Sequence, residues 1–413
     1  MRKRINTAAT RIAVALTHRN FRLLWMGALT SSIGTWMQKV AQAWLIVTLT
    51  TDSGSTPFYI GLDAFAGELP ILLFTLIGGV VADRRDRRHM MLTSQTVQML
   101  VAFILAGLVA LDMINIWIVV TLSFISGCGQ AFGGPAYQSL IPTLVGKEHL
   151  PNAVALNSIQ FNLARVIGPV VAGYALASLG TVGCYGLNGI SFLFVIAAIL
   201  ALRDVHVPPL ATESIVEQMK GGLRYVRHSY NLKAVMALGF IVAFLGFPIL
   251  TFLPVITTDV FAGDARFYSR LMTFAGAGAV TGALVVAYVG KHRHIGRLLL
   301  ISLGLFGTAM ALFSLSRTPA LSAVILFIAG SLLVMCTSLT TSLAQLLAPA
   351  ELRGRVVSIY MLAFRGGSPL GGLASGWLVT QVGSAPKVLM VNGITLTIVA
   401  LFFLIRGHGL KDV

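Results

Sequence analysis

The sequence predicts an all-α polytopic membrane protein with twelve transmembrane helices in two pseudo-symmetric six-helix bundles. Three observations lead to this fold class. Charged residues make up only 11% of the 413 residues and hydrophobic residues 56%, whereas a soluble chain carries roughly 25% charged residues. Apolar runs of about 20 residues, the length that crosses about 30 Å of hydrocarbon, recur along the whole chain. Lys and Arg residues concentrate in alternate loops, as the positive-inside rule requires.

Twelve apolar runs are long enough to be spans. In chain order they are residues 23–49, 58–82, 90–111, 116–137, 153–179, 185–202, 234–255, 267–289, 298–315, 320–346, 356–382 and 388–405. The first run is too long for a signal-peptide core and no cleavage site follows it, so we interpret it as an uncleaved first span. All the runs exceed the length of barrel strands, which excludes an outer-membrane barrel.

The distribution of basic residues predicts the orientation. With the N-terminus inside, 23 of the 30 Lys and Arg residues fall on the cytoplasmic side and four on the other. Both termini are therefore expected in the cytoplasm, and the number of spans is even. The net charge of +16 is then an orientation signal, and no nucleic-acid partner is expected. The remaining three cations lie inside spans, at Lys39, Arg165 and Arg365.

A polar stretch in the middle of the chain separates two halves. The predicted segments are a basic cytoplasmic arm (1–22), an N-terminal bundle (23–202), a cytoplasmic linker (203–233), a C-terminal bundle (234–405) and a cytoplasmic tail (406–413). In the linker, Ser214 and Glu217 have the spacing of a capping box. Apolar residues follow at helical spacing, which predicts an amphipathic helix on the inner membrane face.

The two halves are distantly alike. A shift of 200 residues superposes one set on the other: Ser158, Ile159, Arg165 and Pro169 on Ser358, Ile359, Arg365 and Pro369. The match is informative because Arg is rare within spans and both copies fall in the middle of one. Repeated halves are typical of secondary transporters.

The inner end of the second span carries the sequence GGVVADRRDRR at residues 78–88. It resembles the signature loop of the major facilitator superfamily, with Asp86 in place of the usual second Gly; the matching residues are Gly79, Asp83, Arg84, Arg87 and Arg88. The resemblance implies that Asp83 meets a helix N-terminus of the other half and latches an inner gate. The alternative is a positive-inside turn without a gating role. The equivalent loop at 290–297 lacks the acid, so any latch is asymmetric.

Span five has small residues at four-residue intervals and a Gly-Pro pair. Gly168, Pro169 and Gly173, with Ala at several Gly positions, resemble the antiporter motif of the same superfamily. The resemblance implies a kinked helix in an exporter, and close packing alone is the alternative. Pro369 is its counterpart in the second half.

Three longer segments resemble a narrower group. RNFRLLWMGALTSSIGTWMQ, LPNAVALNSIQFNLARVIGP and RGRVVSIYMLAFRGGSPLGG are similar to the transmembrane secretion effector group, which includes enterobactin-exporter-like and macrolide-efflux-like proteins. Span four departs from the pattern. Gly133 and Tyr137 stand where many relatives carry Asp and Arg, and Ser123 where drug:proton antiporters often carry Arg. These departures argue against a standard proton relay through that helix.

Charges in the middle of a span are expensive, at about 2.5–3.5 kcal/mol each. Lys39 and Glu68 lie at similar heights, about 24 Å and 22 Å from the inner ends of consecutive spans, and Arg165 about 18 Å. We therefore expect Lys39 and Glu68 to form an ion pair. Glu68, the carboxylate in the middle of a span, is a candidate proton carrier, and a static ion pair is the alternative. We expect the charges within the spans to face a substrate cavity between the helices. Further polar residues predicted to line this cavity are Asp63, Gln38, Gln42, Asn162 and Arg365.

These observations together predict a secondary active transporter, a proton-coupled exporter of amphipathic small molecules such as a drug, siderophore or lipid-like compound. An uncoupled facilitator or importer, a lipid-flipping protein and a membrane-embedded enzyme are the alternatives. The enzyme is disfavoured because His292 and His294 lie in a basic loop without acids. We expect no cofactor and no metal, a small-molecule substrate, a monomer in the cell inner membrane, and a proton gradient as the energy source.

Overall fold

The computed structural model describes residues 14–50, 54–84, 86–203, 223–289, 294–349 and 352–406. Within these ranges the chain is helical and contains no strand. A 3₁₀ turn (Val14–Thr17) precedes the α-helices. In chain order these are α1 (Arg19–Thr50), α2 (Thr56–Arg84), α3 (Arg87–Ala110), α4 (Ile116–Leu200), α5 (Tyr230–Ile241), α6 (Pro248–Thr251), α7 (Leu253–Phe261), α8 (Ala265–Val289), α9 (Ile295–Leu315), α10 (Pro319–Leu346), α11 (Arg353–Val382) and α12 (Ala385–Arg406).

The helices follow the predicted spans closely. Helices α1 to α3 and α8 to α12 each contain one predicted span, with ends that differ by a few residues. Nine of the described segments are long and apolar enough to cross a membrane. One of them, Glu148–Leu200, has 53 residues, which at 1.5 Å per residue is more than twice the hydrocarbon thickness.

Helix α4 contains predicted spans four, five and six. Its 85 residues are bent at Gly146 and Gly180, whose φ angles are 71° and 67°. These left-handed angles are accessible to glycine at no steric cost, because it lacks a Cβ atom. Single glycines therefore turn the chain where the sequence predicts longer interruptions.

Span seven is broken, although the sequence predicts one continuous run at 234–255. After α5 the backbone forms a π-helix at Val242–Gly246, and the short helices α6 and α7 follow, separated at Phe252. Pro248 is the first residue of α6 and Pro254 the second residue of α7, and neither has an N–H to continue the preceding hydrogen-bond ladder. A π-helical turn inside a helix frequently marks a functional position.

The helices pack into two compact units. Unit 1 comprises Met1–Gln42 with Leu73–Thr212, and unit 2 comprises Ala43–Leu72 with Glu213–Val413. The chain passes from unit 1 to unit 2 within the predicted linker, but residues 43–72 pack with the second unit although they lie in the first predicted bundle. In unit 1, α3 packs along α4; in unit 2, α8 packs on α10, α9 on α12, and α11 on α5.

Within unit 2, the start of α2 packs closely on α11. A Cβ atom on Gly61 would lie 2.5 Å from the carbonyl oxygen of Gly372, and one on Gly376 would lie 2.6 Å from that of Pro57. Only glycine permits such an approach of two backbones. Of the predicted linker helix, residues 223–228 are helical, whereas Ser214 and Glu217 lie outside the described residues.

Candidate functional site

Two cations lie close to one indole ring in unit 1. The Nζ of Lys39 is 5.2 Å from the centroid of the Trp36 ring, and the guanidinium carbon of Arg165 is 5.8 Å from it. Both distances are within the range of cation–π attraction, which contributes about 0.5–2 kcal/mol. Lys39 is exposed and Arg165 is half-buried. The structure therefore brings together two of the three cations that the sequence places inside spans.

The predicted glutamines of span one bind neighbouring spans. Gln38 accepts a hydrogen bond from the buried amide of Asn188 in span six at 2.5 Å, and Gln42 donates one to the hydroxyl of Ser123 in span four at 2.7 Å. Neither partner was selected from the sequence as a site residue, although Asn188 is a polar residue within an apolar run. Ser123, noted as a departure from antiporters, is thus a hydrogen-bond partner of span one.

Tyr137 connects span four to span five. Its hydroxyl donates to Oδ1 of Asn157 at 2.9 Å, and Oε1 of Gln160 lies 3.2 Å from the same hydroxyl. Gln160 in turn donates to the hydroxyl of Ser32 in span one at 2.9 Å. The residue that replaces an Arg of many relatives is therefore part of a polar network across three spans.

Asn162 does not join this network by a described hydrogen bond. Its amide donates to the carbonyl of Ser158, one turn earlier in the same helix, at 2.8 Å. Glu68 and Asp63 are half-buried on α2, in the part that belongs to unit 2. Because Lys39 belongs to unit 1, its ion pair with Glu68 stays a prediction.

Arg365 directly follows Phe364, a member of an aromatic cluster in unit 2 that sequence reasoning missed. Phe244 stacks on Phe240 at 5.6 Å between centroids, Phe247 contacts Phe364 edge-on at 5.7 Å, and Tyr360 stacks on Phe364 at 6.0 Å. The cluster joins the broken span seven to α11. Arg365 is exposed, and no described residue bonds to it. The Pro and Gly residues between 246 and 254 were the sequence signal for this region.

The signature loop is described in part. Gly79 lies in α2, and Asp83 and Arg84 lie in its last turn, but the side chains of the latter two lie outside the description. Arg87 donates to the carbonyl of Ser139 at 3.1 Å, and Arg88 to that of Leu200 at 2.6 Å. These two arginines therefore tie the start of α3 to two places on α4.

Asp86, the departure from the signature, caps α3. Its carboxylate accepts from the backbone N–H of Arg88 at 2.8 Å and contacts the ring of His89 at 2.7 Å. Partial burial opposes ionisation, but these hydrogen bonds outweigh it and hold the pKa of Asp86 below its ordinary value. A carboxylate at this position satisfies a free N–H of the first turn, as N-caps do.

Of the predicted kink and packing residues, Gly168 lies at a close contact between two helices. A Cβ atom on Gly168 would collide with Cβ of Trp36, so span five packs directly on span one there. Pro169 and Pro369 are buried within their helices, and Gly173 is half-buried. A Cβ atom on Gly133 would collide with the hydroxyl of Ser94, which gives this departure from the pattern a packing role between α3 and α4.

No group of three or more potential metal ligands occurs within the ranges that the structure describes.

Comparison with known proteins supplies the family. The family model described as "Transmembrane secretion effector" matches residues 11–407. The chain belongs to this family. The match covers nearly all of the chain, and it confirms the resemblance seen in the three longer segments.

Relatives of this family member are named as transporters. The chain is 25% identical over 386 residues to the staphyloferrin A transporter of Staphylococcus aureus (strain NCTC 8325 / PS 47), covering 92% of this chain and 94% of the relative. It is 25% identical to macrolide efflux protein A of Streptococcus pyogenes, covering 88% and 90%. It is 24% identical to an enterobactin exporter of Escherichia coli O1:K1 / APEC, covering 94% and 93%.

Solved structures confirm that the chain has the all-helical fold of known membrane transporters. A nucleoside transporter has a TM-score of 0.72 with 15% identity, covering 94% of this chain and 99% of the other. A D-xylose–proton symporter has a TM-score of 0.74 with 12% identity, covering 93% and 97%. The fold is that of the major facilitator superfamily, and the chain is a multi-pass membrane transporter rather than an enzyme.

Proposed function

We propose that this transporter is a proton-coupled exporter of amphipathic small molecules that works by alternating access in the cell inner membrane, as a monomer. The observation that carries the proposal is the pair of cations, Lys39 and Arg165, at the Trp36 ring. Charged groups in the middle of a span are costly and mark substrate or ion pathways. Relatives named for the efflux or export of a macrolide and of enterobactin favour the outward direction.

In this proposal the side chains have distinct roles. Trp36 offers an apolar face to the substrate, and Lys39 and Arg165 attract its acidic or polar groups. The amides of Gln38 and Gln42, held by Asn188 and Ser123, position hydrogen-bonding groups along span one. Arg365 lies in the second half, next to Phe364 of the aromatic cluster, and attracts an anionic group of the substrate.

Glu68 is the proposed proton carrier. It is half-buried in α2, and a carboxylate that exchanges between a cation and a proton couples transport to the pH gradient. The signature loop is the proposed inner latch, in which Asp83 binds a helix N-terminus in one state and releases it in the other. Pro169 and Pro369 are buried within their helices, and the backbone hydrogen bonds that they remove are the points at which these helices bend in such a cycle.

Flux in proteoliposomes tests the proposal. The panel contains a macrolide, enterobactin, staphyloferrin A and a fluorescent phospholipid, each measured with and without an imposed pH gradient. We expect gradient-driven flux of at least one soluble compound, its loss in Glu68→Gln, and normal flux in the control Glu148→Gln, whose carboxylate is exposed on α4. Flux that is equal with and without the gradient indicates a facilitator and contradicts proton coupling, and movement of the phospholipid alone indicates a lipid-flipping protein.

A further inference from the structure

A cationic cavity lies at the end of unit 1 where α1 begins and α4 ends. It measures about 270 Å³ and is lined by His18, Arg19, Asn20, Leu144 and Arg203. This volume is several times the ~30 Å³ that a water molecule occupies in the liquid. The described lining contains two guanidinium groups and an imidazole but no carboxylate. Such a lining favours an anionic ligand.

The cavity is built by specific contacts between the two helices. Asn20 holds the backbone of Arg203 from both sides: its Nδ2 donates to the carbonyl of Arg203 at 2.7 Å, and its Oδ1 accepts from the N–H of Arg203 at 3.4 Å. The ring of His18 is held by a hydrogen bond of 2.9 Å between its Nε2 and Nδ1 of His149. The His18 ring and the Arg203 backbone are therefore held in place by neighbouring side chains, which lowers the cost of ordering this site on binding.

The arginines retain donors for a ligand. Arg19 uses one N–H to bond the carbonyl of Ala201 at 3.2 Å, and Arg88 bonds the next carbonyl, that of Leu200, at 2.6 Å. The negative end of the α4 dipole is thus covered by cations. A guanidinium group has five N–H donors, so most donors of Arg19 remain for an oxyanion, and the exposed side chain of Arg203 lies beside it.

The surroundings indicate a lipid as the source of the anion. The cavity adjoins apolar helix surface, where Leu200 is 57% exposed, and it lies at the end that the charge distribution places at the cytoplasmic leaflet. Basic pockets between helices on that side bind phospholipid headgroups. We propose that this cavity binds the phosphodiester headgroup of an anionic phospholipid, with the guanidinium groups of Arg19 and Arg203 on the phosphate and the acyl chains along the exposed face of α4.

Binding to the purified full-length protein in detergent tests this site. Native mass spectrometry and thermal unfolding are measured with phosphatidylglycerol, phosphatidylcholine or inorganic phosphate added to wild type and to the double variant Arg19→Gln/Arg203→Gln. Phosphatidylglycerol should bind and stabilise the wild type, and its apparent affinity should fall about 30-fold in the double variant. Arg22→Gln/Arg353→Gln is the control with the same net charge, since neither arginine lines the cavity.

Three outcomes overturn the site. They are equal loss of phosphatidylglycerol binding in the control, unchanged binding in the double variant, and stabilisation of the wild type by inorganic phosphate or phosphatidylcholine as strongly as by phosphatidylglycerol. The variant Arg19→Lys/Arg203→Lys is a control for misfolding of the Gln double variant. It retains both charges and should keep most of the affinity for phosphatidylglycerol.

Discussion

The guanidinium carbon of Arg165 lies 5.8 Å from the centroid of the Trp36 ring, so a cation of span five rests beside an aromatic ring of span one. The approach depends on Gly168, three residues further along span five, because any side chain there would collide with Trp36. The residues that resemble an antiporter motif thus hold two helices close together at the level of the proposed substrate site. In the proposed function, the same residues serve both helix packing and substrate binding.

Gly78 and Gly79 are adjacent in the signature loop, yet their surroundings differ. A Cβ atom on Gly78 would lie 2.5 Å from the carbonyl oxygen of Ala131, whereas one on Gly79 would have no neighbour within 4 Å. Gly78→Ala should lower the stability by about 1–3 kcal/mol through overpacking. Gly79→Ala should be neutral or stabilising by about 0.5–1 kcal/mol, because alanine favours a helix. Thermal unfolding of the two purified variants measures the difference, and equal melting temperatures would contradict it.

Tyr137 should contribute to stability through its hydroxyl. Tyr137→Phe leaves the oxygens of Asn157 and Gln160 without this donor. Hydrogen bonds within membranes contribute about 0.6 kcal/mol on average and at most about 1.7 kcal/mol. The free energy of unfolding of Tyr137→Phe should therefore be lower than that of the wild type by an amount in this range. Tyr174→Phe is the matched control, because Tyr174 is 76% exposed. If Tyr137→Phe, like Tyr174→Phe, unfolds at the same denaturant concentration as the wild type, the Tyr137 hydroxyl does not contribute to stability.

Asp86 should stabilise α3 in a pH-dependent manner. Asp86→Ala should cost about 1 kcal/mol, and Asp86→Gly, which restores the usual residue of the signature, only a few tenths. Since the folded pKa of Asp86 lies below its ordinary value of 3.8, its extra stability is present above that pH. It is lost as the pH falls through the folded pKa.

Melting curves from pH 7 down to pH 3 measure this effect. The control is Asn115→Ala, because Asn115 caps α4 by accepting from the N–H of Ile118 at 3.0 Å and does not titrate. The difference between wild type and Asp86→Ala should shrink towards pH 3, while the difference for Asn115→Ala stays constant. A constant difference for both variants would contradict the role of the ionised carboxylate.

Arg365 should affect anionic substrates selectively. Because Arg365 is exposed and directly follows Phe364 of the aromatic cluster in the chain, Arg365→Ala should raise KM for an anionic substrate about two- to five-fold, as is typical of exposed charge pairs. KM for an uncharged substrate should not change, and Arg365→Lys should restore most of the loss. Transport assays over the substrate panel measure this, and normal transport of every compound by Arg365→Ala would remove Arg365 from the site.

The limits of the sequence are clearest at the polar residues. Hydropathy alone located Gln38, Gln42 and Tyr137 within spans, because a polar residue stands out in an apolar run. It did not indicate that Asn188 binds Gln38 or that Ser123 binds Gln42, because those pairs are 150 and 81 residues apart. Partners at such separations are set by the packing of whole helices.

Local patterns of hydropathy and charge determined that this chain is a helical membrane protein, and local motifs indicated its family, because the bilayer acts on each span individually. The tertiary structure decided what depends on contact between spans. It assigned the close approach to Gly78 rather than Gly79, divided span seven next to an aromatic cluster, and brought Lys39 and Arg165 to one indole ring. These features follow from how helix surfaces fit together, which no single stretch of sequence encodes.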